Sequence, residues 1–112
     1  MSLSGIVAVT GGAGFIGSHI AGTIAASGAK VRIIDDLSTG HRENLDELSG
    51  DIEFIEGTIA DPALMTRALK DVEVVFHEAA IPSVPRSVED PEQTHIASVD
   101  GTFNLLLAAR EQ

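Results

Sequence analysis

The segment 10–17 places glycines at positions 11, 14 and 17 between a short apolar run and a helical pattern. Residues 6–9 before it form a continuous apolar stretch, as in strands that are covered on both faces. After it, Ile16, Ile20 and Ile24 recur every four residues, which is the spacing of one face of an α-helix. A strand, a glycine turn and a helix in this order restrict the chain to folds built from β-α units.

The same alternation continues to the end of the chain. Apolar, β-branched runs predict further strands over residues 31–34, 52–55 and 72–76, and Gly28 is placed to end the first helix. Asp61-Pro62 and Asp90-Pro91 each predict a helix start, with a capping carboxylate before a proline at the first helical position. We expect the first of these helices to run to about residue 69 and a short helix to lie within residues 43–48.

Alternating strands and helices predict an α/β fold in which helices cover both faces of a parallel sheet. With four strands, the expected arrangement is a doubly wound, Rossmann-type sheet in the order 3-2-1-4. The fourth strand would then form an open edge, and the last helix would have no strand after it. We therefore interpret residues 1–112 as one incomplete domain of a larger fold.

The glycine positions predict a dinucleotide site. Gly11 would permit the tight turn, Gly14 would let a pyrophosphate approach the backbone, and Gly17 would allow the helix to pack on the strand. The N–H groups of Phe15 and Ile16, at the positive end of the helix dipole, would face the phosphates. The hypothesis that competes with this one is a glycine turn that serves packing alone.

Asp35 ends the second strand at roughly the spacing expected for a ribose-binding carboxylate. Such a carboxylate accepts hydrogen bonds from the adenosine ribose and repels a 2′-phosphate, so NAD is the expected cofactor. His41 and Arg42 lie a few residues later and would in principle serve NADP, and Asp35 itself would otherwise be a solvated strand end.

Composition excludes several classes of partner. The formal net charge is −10, with 17 acidic and 7 basic residues, which argues against nucleic acid and an anionic membrane as partners. The sequence has no cysteine, and its four histidines share no ligand spacing, so no metal site is expected. No apolar run approaches the roughly 20 residues of a membrane span. A cytoplasmic location is the default expectation.

Four segments together carry a family resemblance. Residues 10–20 and 35–40, then 75–80 and 83–91, resemble the extended short-chain dehydrogenase/reductase family, and within it the nucleotide-sugar epimerases. The pattern is most similar to the N-terminal portion of UDP-glucose and UDP-N-acetylglucosamine 4-epimerases. The resemblance implies that tightly bound NAD takes a hydride from the sugar C4 and returns it to the other face of the keto-sugar.

The resemblance also implies a set of contacts. Ser83, in the proline-bearing loop, would touch the sugar. The cofactor contacts would be Gly11, Gly14, Phe15, Ile16, Asp35, Asp36, Ser38, Thr39, Gly40, Thr58, Ile59, Ala79, Ala80 and Ile81.

Two family positions differ here. Thr58 stands where an aspartate usually meets the adenine amine, and Ser98 replaces the first residue of an Asn-x-x-Gly-Thr motif that ends in Gly101 and Thr102. More importantly, the family's general base is the tyrosine of a Tyr-x-x-x-Lys motif, and the sequence contains no tyrosine. We therefore assign no catalytic residue and expect this chain to be inactive alone.

Two other interpretations stay open at this point. In the first, the chain is a free-standing module that binds NAD without catalysis. In the second, it is the NAD-binding part of a nucleotide-sugar dehydratase or decarboxylase. An apolar stripe on the last helix predicts a core or interface position, and the resemblance implies an intersubunit helix bundle and therefore a homodimer. The stripe consists of Ile96, Val99, Phe103 and Leu106.

Overall fold

One parallel sheet organises the chain in a computed structural model that describes residues 5–79 and 88–110. Its strands are β1 (Ile6–Thr10), β2 (Lys30–Asp35), β3 (Ile52–Glu56) and β4 (Val72–His77). They lie in the order β3-β2-β1-β4, which confirms the predicted fold class and strand order. The register pairs Thr10 with Ile34 on one side and with His77 on the other, so the carboxyl ends of the strands meet at one edge of the sheet.

Helical segments connect and follow the strands. They are α1 (Phe15–Ala26), a 3₁₀-helix (Arg42–Leu45), α2 (Pro62–Ala68), α3 (Pro91–His95), a π-helical segment (Ile96–Asp100) and α4 (Gly101–Arg110). The short helix predicted within residues 43–48 is thus a single 3₁₀ turn that begins one residue earlier.

Both Asp-Pro pairs start helices as predicted. The Asp61 carboxylate accepts hydrogen bonds from the N–H groups of Ala63 and Leu64, at 3.0 and 3.2 Å. The Asp90 carboxylate accepts one from Gln93 N–H at 3.1 Å. These bonds satisfy N–H groups that have no partner within a helix.

Two apolar cores lie on opposite faces of the sheet. On one face α2 and α4 pack against β1 and β2, through Met65, Leu69 and Leu105 among others. On the other face α1 packs against the same strands, with Ala21, Ala25 and the buried valines and isoleucines of the sheet at its centre. Helices on both faces explain why β1 and β2 are apolar along most of their length.

The buried face of α1 differs from the one that its isoleucines suggest. The buried residues of this helix are Gly17, Ser18, Ala21 and Ala25, whereas Ile16 is 64% exposed. Ile20 and Ile24 are only partly buried, at the margin of the core. Small residues face the sheet because the helix lies close to it, and the larger side chains flank that contact.

The first helix, α1, ends just before Gly28, as the sequence predicts. Gly28 has a φ of +99°, a left-handed conformation that favours glycine, and its N–H donates to Ala25 O at 3.0 Å. The chain can therefore turn directly from α1 into β2.

The last helical stretch, residues 91–110, divides its side chains between the core and the surface. Gly101, Leu105 and Ala108 are buried, while the predicted stripe is exposed, with Ile96, Val99, Phe103 and Leu106 at 40, 52, 59 and 60%. The stripe therefore does not belong to the core of this chain. Within the described residues, no helix is both long and apolar enough to cross a membrane.

Candidate dinucleotide-binding site

A cleft of about 510 Å³ opens at the carboxyl ends of β1, β2 and β4. This volume falls in the usual range for small-molecule sites, and in open α/β sheets ligands bind at this edge. The cleft is lined by Gly11, Gly14, Phe15, Ile16, Gly17, Ile34, Asp35, Asp36, Ser38, Thr39, Gly57, Thr58, Ile59, Glu78, Ala79, Gln93, Ile96 and Ala97.

The glycine loop turns tightly between β1 and α1. Gly11 has a φ of +69°, and its N–H donates to Ile34 O at 2.8 Å. The Gly14 N–H in turn donates to Gly11 O at 3.0 Å. A side chain at Gly17 would overlap the backbone of Gly11, so this position requires the absence of a Cβ atom. The loop therefore brings the start of α1 directly to the floor of the cleft.

The N-terminus of α1 has no capping side chain. Gly14 occupies the N-cap with extended backbone angles of φ −79° and ψ 174°, and the first turn contains no acidic residue. The first N–H groups of a helix lack partners within the helix, and their dipoles favour a negative charge. This end of α1 can therefore bind an anion such as a pyrophosphate, with Phe15 and Ile16 at the rim of the cleft.

Asp35 lies at the end of β2 and is only 8% exposed. One carboxylate oxygen accepts Ala13 N–H at 2.9 Å, and the other accepts Leu37 N–H at 2.7 Å. Each oxygen keeps further acceptor capacity. The carboxylate therefore fixes the glycine loop and can also accept hydrogen bonds from a ligand in the cleft.

The carbonyl group of Ala13 is held from the other side. It accepts His41 N–H at 3.0 Å and the side-chain amide of Asn44 at 2.8 Å. Together with Asp35, these bonds link the glycine loop to the segment after β2. Neither Ala13 nor Asn44 stands out in the sequence, since an alanine and a surface asparagine carry no recognisable pattern.

The residues after Asp35 divide into two groups. Asp36, Ser38 and Thr39 line the cleft, and the exposed Asp36 accepts Ser38 N–H at 2.9 Å. Gly40 does not line the cleft. It is buried against the glycine loop, where an added Cβ would lie 2.9 Å from the carbonyl carbon of Ala13. Its role in the structure is close packing behind the site.

Thr58 and Ile59 form the far wall of the cleft. The Thr58 hydroxyl accepts Ala60 N–H at 3.0 Å, and Ile59 is 7% exposed. The Asn104 side chain of α4 donates to Ile59 O at 3.1 Å. Gly101 of the same helix lies so close to the Ile59 side chain that a Cβ there would displace it. The wall is therefore held in place by the last helix.

Negative charge dominates the cleft. Asp35, Asp36 and Glu78 are among its lining residues, and no lysine or arginine of the described segments lines it. Arg42 lies outside the cleft, with its guanidinium carbon 4.8 Å from the centre of the Phe54 ring. His41 also lies outside. The two side chains that would have served a 2′-phosphate are therefore not directed at this site.

The end of β4 closes the cleft beside the glycine loop. Ala79 lines it, whereas Ala80, Ile81 and Ser83 lie outside the described residues. His77, at the end of β4, bonds to Thr10 at 2.6 Å and to Thr102 at 2.9 Å. Burial lowers the pKa of His77 below its ordinary value, and the carboxylate of Glu78 offsets part of that effect.

Several lining residues were missed by the sequence analysis. Ile34 and Gly57 line the cleft because they adjoin Asp35 and the β3 end, and Glu78 because it precedes Ala79. Gln93, Ile96 and Ala97 reach the cleft from the last helix, and only the tertiary fold brings them there. Among the described residues, no group of three or more His, Cys, Asp or Glu side chains has the geometry to hold a metal ion.

Comparison with known proteins agrees with this geometry. A UDP-glucose 4-epimerase of Mycolicibacterium smegmatis is 46% identical over 106 residues, covering 91% of this chain and 34% of that protein. A UDP-N-acetyl-alpha-D-glucosaminuronate decarboxylase of Bacillus cytotoxicus is 40% identical over 101 residues, covering 90% of this chain and 32% of that protein. The chain thus spans about a third of the length of these relatives.

A solved structure shows the same arrangement. The UDP-glucose 4-epimerase of Thermus thermophilus, in complex with NAD, superimposes with a TM-score of 0.85 at 41% identity, covering 95% of this chain and 34% of that one. NAD, the cofactor expected from the sequence, is therefore the cofactor of a structural neighbour. The NAD dependent epimerase/dehydratase family model matches residues 7–112, and the chain belongs to that family.

Proposed function

We propose that this chain is the NAD-binding part of a nucleotide-sugar 4-epimerase of the UDP-glucose 4-epimerase type. The observation that carries the proposal is the juxtaposition of the uncapped α1 N-terminus with the Asp35 carboxylate in one cleft. An anion site and a ribose site at the ends of adjacent strands are what an adenine dinucleotide requires. The proposal includes the cytoplasmic location expected from the sequence.

In the proposed complex, the backbone of Gly14, Phe15 and Ile16 would hold the pyrophosphate. Asp35 would accept hydrogen bonds from the ribose, with Asp36, Ser38 and Thr39 beside it in the cleft, and Gly40 supports the loop from behind. Thr58 and Ile59 would hold the adenine, and Ala79 borders the cleft at the end of β4. The predicted contacts Ala80, Ile81 and the sugar contact Ser83 stay part of the proposal.

When bound, NAD supplies a hydride acceptor. This chain's own residues would bind and orient it, because the described part of the cleft offers backbone N–H groups for the phosphates and a carboxylate for the ribose. The described lining residues include no histidine, lysine or tyrosine. In the proposed enzyme, the proton transfer that accompanies hydride transfer belongs to the tyrosine of the family's Tyr-x-x-x-Lys motif.

The alternatives are distinguished by what lies beyond this part of the fold. The decarboxylase relative is nearly as similar over this region as the epimerase relative. The shared region therefore favours NAD binding more strongly than it favours one reaction. A parent gene that encodes a downstream Tyr-x-x-x-Lys motif would favour an enzyme over a free-standing module, and the substrate half would separate an epimerase from a dehydratase.

We also propose that the chain self-associates through the last helix. Val99, Phe103 and Leu106 of the stripe are exposed, and so is Ile96, which also borders the cleft. Exposed apolar patches of this kind mark interaction surfaces in soluble proteins. A second copy of the chain presents the same stripe, so a symmetric dimer would cover both.

The first prediction concerns the glycine loop. Gly14→Val should fold, because the position has extended backbone angles and an added Cβ would lie no closer than 3.3 Å to Gly11 O. The new side chain should block the pyrophosphate and weaken NAD binding by roughly one to two orders of magnitude, the equivalent of one charged hydrogen bond. Gly17→Ala should instead destabilise the fold. Calorimetry and thermal melting measure both, with Thr23→Val as the control on the exposed face of α1.

The second prediction concerns the choice of cofactor. NAD should bind more tightly than NADP, because a 2′-phosphate adds almost two negative charges near Asp35 and Asp36. Asp36→Asn removes one negative charge and keeps an oxygen that accepts Ser38 N–H. It should therefore reduce the preference for NAD over NADP. Titration calorimetry with both cofactors tests this. Equal or tighter binding of NADP to the unmodified chain would refute the assignment.

The third prediction concerns activity. The purified chain should show no epimerase turnover with UDP-sugars at saturating NAD, because it lacks the tyrosine that serves as base in the family. A coupled assay with a complete UDP-glucose 4-epimerase as positive control measures this. Turnover that disappears in Gly14→Val would show that the chain contains a base of its own.

The fourth prediction concerns assembly. The chain should be a dimer or larger, and Phe103→Glu should shift it to monomer, because a carboxylate would be buried in the apolar contact. Light scattering over a concentration series measures the mass. Thr23→Glu, at an exposed position of α1 on the opposite face of the sheet, is the control for added charge. A well-folded chain that stays monomeric at every concentration would exclude this interface.

A further inference from the structure

A chain of side-chain hydrogen bonds runs from β1 through β4 to α4. The Thr10 hydroxyl lies 2.6 Å from His77 Nδ1, and His77 Nε2 lies 2.9 Å from the Thr102 hydroxyl. Thr10 is fully buried and His77 is partly buried. The chain begins at the residue before Gly11 and ends on the helix that supports the far wall of the cleft, so it connects two walls of the same site.

The direction of each bond follows from the groups around Thr10. The hydroxyl oxygen of Thr10 accepts the N–H groups of Glu78 and Ala79, at 3.1 and 3.2 Å. The Glu78 N–H is shared with Thr10 O at 3.0 Å. A hydroxyl has two acceptor positions and one hydrogen. Because both acceptor positions face N–H groups, the hydroxyl must donate its hydrogen to His77 Nδ1.

This assignment fixes the tautomer of the imidazole. Nδ1 is an acceptor and carries no hydrogen, so the neutral ring must carry its hydrogen on Nε2 and donate it to Thr102. A second proton on Nδ1 would place a third donor against the Thr10 hydroxyl. One of the bonds from Glu78 or Ala79 would then have to break.

Those two residues border the cofactor cleft. Glu78 and Ala79 both line it, and they lie so close to Gly11 that an added Cβ there would be 2.8 Å from Ala79 N. Displacement of this backbone would therefore disturb the glycine loop directly.

We propose that His77 is a positioning residue for the cofactor, and that its neutral Nε2–H tautomer holds residues 78–79 against the glycine loop and links them to Thr102. Protonation of His77 breaks the bond from the Thr10 hydroxyl and one of the bonds that hold residues 78–79, and thereby weakens NAD binding. The proposal rests on the proposed NAD-binding function. It assigns no direct contact between His77 and the cofactor, since His77 does not line the cleft.

The charges near His77 determine the direction of the pH dependence. Glu78 is the neighbouring charge that favours the protonated ring, and burial opposes it more strongly, which lowers the pKa of His77. β1 contributes no ionisable side chain, and α4 contributes only Arg110. A lowered folded-state pKa means that the stability contributed by neutral His77 is present above about pH 6.5 and is lost as the pH falls below that value.

The fifth prediction tests this link by calorimetry between pH 5 and 8. NAD affinity should fall by about three- to tenfold, the effect of one net hydrogen bond, as the pH drops through the lowered pKa of His77. His77→Asn keeps an uncharged acceptor near Nδ1, so it should bind NAD at pH 7.5 and lose this pH dependence. His95→Gln, which removes an exposed histidine outside the cleft, should keep it. A pH profile that is the same in His77→Asn and the unmodified chain would overturn the proposal.

The chain without NAD provides a test that does not depend on cofactor binding. Nitrogen NMR of the imidazole should show the Nε2–H tautomer at pH 7.5, and the protection of the Glu78 and Ala79 amides, corrected for the intrinsic pH dependence of exchange, should fall as His77 protonates. An Nδ1–H tautomer, or protection of the Glu78 and Ala79 amides that does not change when His77 protonates, would refute the positioning role. Absence of NAD binding at every pH, with these NMR results intact, would instead refute only the proposed function and the cofactor-dependent half of this inference.

Discussion

The contact between Gly17 and the backbone of Gly11 is the constraint on which the rest of the site depends. Without a Cβ at position 17, the first turn of α1 can lie directly on the turn that follows β1. This approach directs the unpartnered N–H groups of the helix into the cleft. It also explains the small residues on the buried face of α1, because Ala21 and Ala25 continue the same close contact along the sheet.

Asp35 shows how one carboxylate serves both the fold and the site. Its hydrogen bonds to Ala13 and Leu37 offset the cost of burying a charge, and they connect the glycine loop with the segment after β2. Asn44 and His41 complete that connection from the carbonyl side of Ala13. The shape of the cleft is therefore established by the protein's own contacts, which reduces the ordering that a ligand would have to impose.

Local patterns predicted most of the fold. The strands, the Asp61 and Asp90 caps and the Gly28 helix end follow from spacing and residue type, because each depends on neighbours in sequence. The strand order follows from the alternation of strands and helices, which restricts the topology of a parallel sheet. The buried face of α1 was not predicted correctly, since periodicity favours the isoleucines and close packing favours the smaller residues.

The difference between local and tertiary contacts also decides which site residues could be predicted. Gly11, Gly14, Asp35 and their sequence neighbours were predictable, because a motif places them on one loop. The contributions of Gln93, Ile96 and Ala97, and the bonds from Asn104 and Thr102, arise from a helix that is distant in sequence. Gly40, expected in the cleft, supports it from behind, which residue type alone does not distinguish.

The π-helical segment Ile96–Asp100 sets the rotational phase of the last helical stretch. Upstream of Gly101, Gln93, Ile96 and Ala97 turn towards the cleft, whereas downstream Gly101, Leu105 and Ala108 turn towards the sheet. A wide turn inserts one residue into the helical repeat, and successive residues of an α-helix are separated by about 100°. Loss of one residue from this segment would leave α4 seated on the sheet and rotate the preceding turn by about a quarter of a revolution. The side chains that reach the cleft from this helix are thus determined by the number of residues in a single turn.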